Sequence, residues 1–215
     1  MADQKVILAF GDSLTFGHDA GNQRRHAFED RWPTVLEQGL EGKARVIAEG
    51  LGGRTTAFDD WSAAADRNGV TVLPTLLSSH TPLDLVVIML GTNDLKPSLN
   101  GSAHAAAFGV RRLVEIIRTH PYAFAVPAPK IVIVSPPHVI ETTHLELGPM
   151  FEGAIAESRK FAAHYARAAS DLGTGFFDAS TVAVPDSVDG IHLDAANTRA
   201  IGNGLVPVVK QALGL

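Results

Sequence analysis

The sequence predicts an α/β fold: a three-layer α/β/α sandwich whose helices cover both faces of a five-stranded parallel sheet. Short apolar segments of strand length alternate along the chain with longer stretches of amphipathic spacing, which is the pattern of βαβ units. Crossovers between parallel strands are right-handed and helices must sit on both faces, and of the orders this allows a flavodoxin-like 2-1-3-4-5 is the first choice. Length and composition agree. The 215 residues fit one domain spanning 1–215, and 46% hydrophobic residues is a globular content.

Val6–Phe10 is a continuous apolar run punctuated by Gly11 and reads as the first strand. Asp30–Leu40 has helical spacing and precedes the second strand, Arg45–Ala48. Leu83–Leu90, the most hydrophobic segment, is the third strand, followed by a helix over Ala103–Thr119 and a fourth strand over Lys130–Ser135. One long helix is expected over Pro149–Leu172, then a short strand over Gly175–Asp178 and a last helix over Asp194–Leu213, with Asp194 as its N-cap. Residues 17–29, 51–69 and 135–148 read as loops near strand ends. Loops this long in a compact domain are usually functional or mobile, and these are expected to wall a pocket.

Composition excludes several function classes. A net charge of -5 without a basic run offers no footprint for nucleic acid or an anionic membrane, which leaves a small-molecule partner. The absence of cysteine excludes disulfides, thiolate metal sites and a cysteine nucleophile. The chain opens with the polar Met1-Ala-Asp-Gln-Lys and has no apolar run near the roughly 20 residues of a membrane span, so a cytoplasmic location is expected.

Four short stretches carry possible chemistry: Gly11-Asp-Ser-Leu14, Glu49-Gly-Leu-Gly-Gly53, Gly91-Thr-Asn-Asp94 and Asp189-Gly-Ile-His192. The predicted sheet brings all four to one rim, where open α/β sheets collect catalytic groups. A serine hydroxyl needs a base and donors for the oxyanion. Ser13 is the candidate nucleophile, His192 the base, and Asp189 the acid that orients it, with Asp186 and Asp194 as competing acids. Asn93 and a backbone N–H of the glycine-rich stretch are candidate oxyanion donors. Taken singly each has a plainer reading: a surface histidine, a capping Asn-Asp turn, turn glycines. Neither glycine-rich stretch has dinucleotide or P-loop spacing, which counts against a flavodoxin-like ligand-binding module. His138, Glu141 and His144 lack the helical His-Glu-x-x-His arrangement of a metal-assisted hydrolase.

Together the four stretches resemble the GDSL or SGNH hydrolases, and the resemblance covers nearly the whole chain. Gly11-Asp-Ser-Leu-Thr is similar to the first block and implies Ser13 as nucleophile; Gly91-Thr-Asn-Asp resembles the third and implies Asn93 in the oxyanion hole. Asp189-Gly-Ile-His resembles the fifth and implies Asp189 and His192 as acid and base. The second block has Glu49 where the family commonly has Asn; it implies a backbone donor at Gly53, with Gly52 as the fallback, beside the Ser13 N–H. Glu-Gly-Leu-Gly-Gly-Arg-Thr-Thr and Val-Asp-Gly-Ile-His are similar to the bacterial arylesterase and acyltransferase branch. That branch implies a serine esterase for short-chain acyl or aryl esters, acyl transfer to alcohols, no cofactor or metal, and a homo-oligomer. Carbohydrate O-acetyl esters or thioesters are the alternative substrates. Leu14, Phe16, Trp61, Phe151 and Val188 adjoin these blocks or lie in the candidate loops and are expected to line the pocket.

Overall fold

A strand that is apolar on both faces needs a helical layer on each side. The computed structural model, which describes residues 4–215, meets that requirement. In chain order the elements are β1 (Lys5–Gly11), α1 (Ser13–Phe16), β2 (His18–Asp19), β3 (Arg24–Arg25), α2 (Trp32–Gly39), β4 (Ala44–Gly50), α3 (Gly69–His80) and β5 (Leu85–Met89). They continue with α4 (Ala103–Thr119), β6 (Lys130–Ser135), α5 (Leu147–Met150), α6 (Ala154–Ser158), α7 (Phe161–Leu172), β7 (Gly175–Asp178) and α8 (Ala195–Leu213). The main sheet runs β4-β1-β5-β6-β7 with every pair parallel, which is the 2-1-3-4-5 order.

The alternation of side chains along β1 divides the core in two. Leu8 and Phe10 face one layer with Leu73 and Leu77 of α3, Val110, Leu113 and Ile117 of α4, and Phe161 and Tyr165 of α7. Ile7 and Ala9 face the other, with Trp32 and Leu36 of α2 and Ile201, Leu205 and Val209 of α8. Each large apolar side chain fully buried in this way contributes roughly 1.5–3 kcal/mol, so the sheet is a rigid platform for whatever stands at its rim.

Three segments differ from the sequence expectation. Residues beyond Gly69 form α3, which Pro74 in its interior disguised; Asn68 caps it by accepting from the Val70 N–H at 3.1 Å. The helix expected over Pro149–Leu172 is broken into α5, α6 and α7, with Gly153 left-handed at φ 78 between the first two. Inside the 17–29 loop, β2 and β3 form a small antiparallel ribbon. Among the described residues, no helix is long and apolar enough to cross a membrane.

Candidate active site

Ser13 is placed by a tight turn at the carboxyl end of β1. Asp12 caps α1, its Oδ1 accepting from the Leu14 N–H at 2.9 Å, and Ser13 is the first residue of that four-residue helix. The helix lies directly against β4: a Cβ on Gly50 would stand 2.1 Å from the Phe16 backbone nitrogen, so only glycine admits this approach. As the first residue of a helix, Ser13 also presents a backbone N–H with no intrahelical acceptor.

The loop before α8 aims His192 at this hydroxyl. Asp189 Oδ1 accepts the N–H groups of Ile191 (2.9 Å) and His192 (2.8 Å), while its Oδ2 accepts from His192 Nδ1 at 2.6 Å. His192 Nε2 then lies 3.0 Å from Ser13 Oγ. Burial of Asp189 pushes its pKa up, but the ring and backbone N–H groups of His192 and the N–H of Ile191 outweigh it and hold the carboxyl below its ordinary value. The competing acids have other partners. Asp186 shapes the same loop by accepting from the Val188 N–H at 2.9 Å, and Asp194 caps α8 by accepting from the Asn197 N–H at 2.7 Å.

Asn93 sits in the 3-10 turn Thr92–Leu95 that follows β5, buried but bordering the cavity. Its Nδ2 donates to the Arg54 carbonyl at 3.2 Å and reaches Asp12 Oδ2 only at 3.4 Å, so one amide hydrogen is weakly held. Gly53 adopts φ +83, and among the described residues no acceptor engages its N–H. Beneath this rim lie two fully buried acids. Burial pushes Asp12 up to about 6 against the Leu14 N–H and the charges of His192, Arg54 and Lys96. It pushes Asp94 up to about 7 although the Thr56 hydroxyl and N–H both donate to that carboxyl. Arg54 ties the strand ends together by donating to the Gly11 carbonyl at 2.8 Å and to that of Glu49.

Ser13, His192, Asn93, Gly52 and Gly53 border one cavity of about 670 Å³. Of the expected apolar lining, Phe151 and Trp61 are there. Leu14, Phe16 and Val188 are not, and each has a physical reason. Leu14 points back into the core with Ile7 and Trp32. Phe16 is covered by the Arg25 guanidinium, 4.2 Å from its ring centroid. Val188 lies on the outer side of its loop, 49% exposed. The cavity also includes His18, Arg67, Lys96, Leu147, Met150 and Ile191, which sequence reasoning missed. Lys96, three residues past Asn93, had some signal in its nearness to a motif; Arg67, Leu147 and Met150 had none.

His18 is carried in by the β2–β3 ribbon, which is anchored where His26 Nε2 donates to the Leu193 carbonyl at 2.9 Å. Nitrogen and oxygen atoms of His18, Asp189 and His192 lie within 4.8 Å of one another, the spacing of a metal site. However, His192 spends both ring nitrogens on Ser13 and Asp189. His144 Nδ1 accepts the N–H groups of Glu146 (3.3 Å) and Leu147 (3.2 Å), a capping arrangement at the start of α5.

A buried carboxylate, an imidazole and a hydroxyl in hydrogen-bonded sequence can raise the nucleophilicity of the hydroxyl. Comparison with known proteins points the same way. The GDSL-like Lipase/Acylhydrolase family matches residues 9–200. Among solved structures, the chain is similar to a carbohydrate acetylesterase family member from Sinorhizobium meliloti, with 51% identity, a TM-score of 0.97 and coverage of 99% of this chain and 100% of that one. It is similar to an aryl esterase from M. smegmatis at 40% identity, TM-score 0.91, covering 97% of this chain and 100% of that one. A second carbohydrate acetylesterase from Sinorhizobium meliloti is 34% identical with a TM-score of 0.92, covering 97% and 99%. No curated protein matches.

Proposed function

The chain belongs to the GDSL-like lipase/acylhydrolase family and is a carboxylic ester hydrolase; from that premise we propose that it cleaves short-chain acyl and aryl esters through an acyl-enzyme on Ser13. The observation that carries this reading is the unbroken line from Asp189 Oδ2 through His192 to Ser13 Oγ, with contacts of 2.6 and 3.0 Å.

In this reading His192 Nε2 takes the Ser13 proton as Oγ bonds to the ester carbonyl carbon. The carbonyl oxygen becomes an anion held by the N–H groups of Ser13 and Gly53 and by Asn93 Nδ2. Collapse of the tetrahedral intermediate breaks the bond to the alcohol oxygen, which leaves with the proton from His192. Water attacks the acyl-enzyme by the same route in reverse, giving the acid and free Ser13. Asp189 stays ionised throughout and stabilises the imidazolium. No step calls for a cofactor or a metal.

A small acyl group suits a cavity walled by Phe151, Ile191, Leu147 and Trp61 around Ser13. The acetylesterase and aryl esterase names of the similar structures favour the same chemistry. The apolar part of that wall, Phe151, Ile191 and Leu147, would also favour an alcohol as acceptor beside water, so acyl transfer belongs to the proposal. Its test is the appearance of transesterified product when a small alcohol is added to an ester in water. Self-association, which the branch resemblance implies, is tested by light scattering.

The deciding experiment compares turnover of p-nitrophenyl acetate and p-nitrophenyl octanoate by the wild type and by Ser13→Ala. Faster acetate turnover that disappears in the variant supports the reading; equal turnover by both proteins, with the variant folded, overturns it.

A further inference from the structure

Lys96 is the cation of the cavity that no described residue neutralises at bonding distance. Its backbone is fixed: the N–H donates to the Asn93 carbonyl at 3.3 Å, and its own carbonyl accepts from Leu99 (2.9 Å) and Asn100 (3.0 Å). Its side chain is therefore launched from the same turn that presents Asn93. Lys96 is only 8% exposed and borders the cavity shared with Ser13 and His192. The ammonium passes the ring of Phe151 at 5.5 Å from its centroid. Among the described residues, no hydrogen-bond acceptor and no carboxylate lies within reach of Nζ.

The other charged groups on the wall are already occupied. Arg67 donates to Asp60 Oδ2 at 2.7 Å and to the Gly52 carbonyl at 3.0 Å, while Asp59 accepts from Asn68 Nδ2 at 2.7 Å. The stem of Lys96 is covered but its ammonium opens on the cavity with no protein acceptor among the described residues, so its donors are free to meet an incoming anion. Burial accordingly lowers the pKa of Lys96, with the charge of Asp60 opposing it.

We propose that Lys96 is a specificity residue that binds a carboxylate carried by the ester, so that the preferred substrates are monoesters of small dicarboxylic acids or other short esters bearing one carboxylate. The inference rests on the Ser13 esterase reading. A charge-assisted hydrogen bond from the ammonium to that carboxylate selects such a substrate over a neutral one of the same size.

The test measures kcat/KM for monomethyl succinate and for dimethyl succinate, followed by proton release, in the wild type, Lys96→Met, Lys96→Arg and Ser13→Ala. In the wild type the monoester is preferred. In Lys96→Met the monoester-to-diester ratio falls at least tenfold, and Lys96→Arg restores part of it. A ratio that does not move in Lys96→Met overturns the inference. Loss of both activities in Ser13→Ala shows that the esterase reading stands independently; retention of both overturns that reading instead. Should Lys96→Met not fold, inhibition of the wild type decides: succinate competes with dimethyl succinate and succinamide does not, whereas equal effects of the two overturn the inference.

Discussion

The imidazole of His18 packs on that of His192, with ring centroids 4.1 Å apart and planes inclined at 50°. A second protonated ring there would oppose the imidazolium that forms during turnover. Burial, followed by the charge of His192, lowers the pKa of His18, which favours a neutral ring packed against His192. His18→Phe keeps a neutral ring there and should leave the acidic limb of the kcat/KM against pH profile where it is. A limb displaced by half a unit or more would mean that His18 carries charge at that pH.

Asn93 is the one side-chain donor proposed for the oxyanion, and its bond to Asp12 is long enough to yield to a substrate. Asn93→Ala should lower kcat by about 10²–10³ with a smaller effect on KM, the cost of losing one preorganised donor. The variant also strands the Arg54 carbonyl, which costs about 1–3 kcal/mol of stability. Steady-state kinetics and a urea melt separate the two effects; an unchanged kcat would remove Asn93 from the oxyanion hole.

The buried pair Asp12 and Asp94 links folding to pH. Burial raises both pKa values above the ordinary carboxylate range, to about 6 and about 7. Between pH 4 and 7 the native state therefore binds more protons than the unfolded chain, and the contribution of these groups to stability falls as pH rises through that window. Asp94→Asn should flatten the decline in Tm from pH 5 to pH 8. A steeper decline in the variant would show that the Thr56 donors, not burial, set the protonation of Asp94.

That Ser13, His192, Asp189 and Asn93 would meet at one rim was legible because their geometry is local. Asp189 and His192 share one turn, and Ser13 and Asn93 each stand at the end of an apolar strand, where the spacing of residues already determines the direction of approach. The cavity lining was legible only at Phe151 and Trp61, since adjacency in sequence is a poor guide to adjacency in space. Leu14 follows Ser13 in a helix, is rotated about 100° from it, and so enters the core as Ser13 faces the cavity. Val188 precedes Asp189 in a turn and faces outward for the same kind of reason. Lys96, Met150 and His18 come from a turn, a one-turn helix and a two-residue strand whose placement depends on tertiary packing, and α3 was hidden because Pro74 reads as a breaker in isolation.

Two glycines of one motif, Gly50 and Gly52, should respond oppositely to the same added methyl group. A Cβ on Gly50 would meet the backbone of Thr15 and Phe16 at 2.1–2.7 Å, and backbone cannot step aside without moving α1 and Ser13 with it. Gly52 has open space around its Cβ, with nothing within 4 Å, and its φ is not in the left-handed region. Gly50→Ala should therefore destabilise the fold by about 1–3 kcal/mol through overpacking. Because even a displacement of about 1 Å of a reacting group can cost 10²-fold, it should also lower kcat by that order. Gly52→Ala keeps its backbone N–H and should fold and turn over as the wild type does; a loss of kcat comparable to that of Asn93→Ala would show that a methyl group at residue 52 intrudes on the space the ester carbonyl occupies.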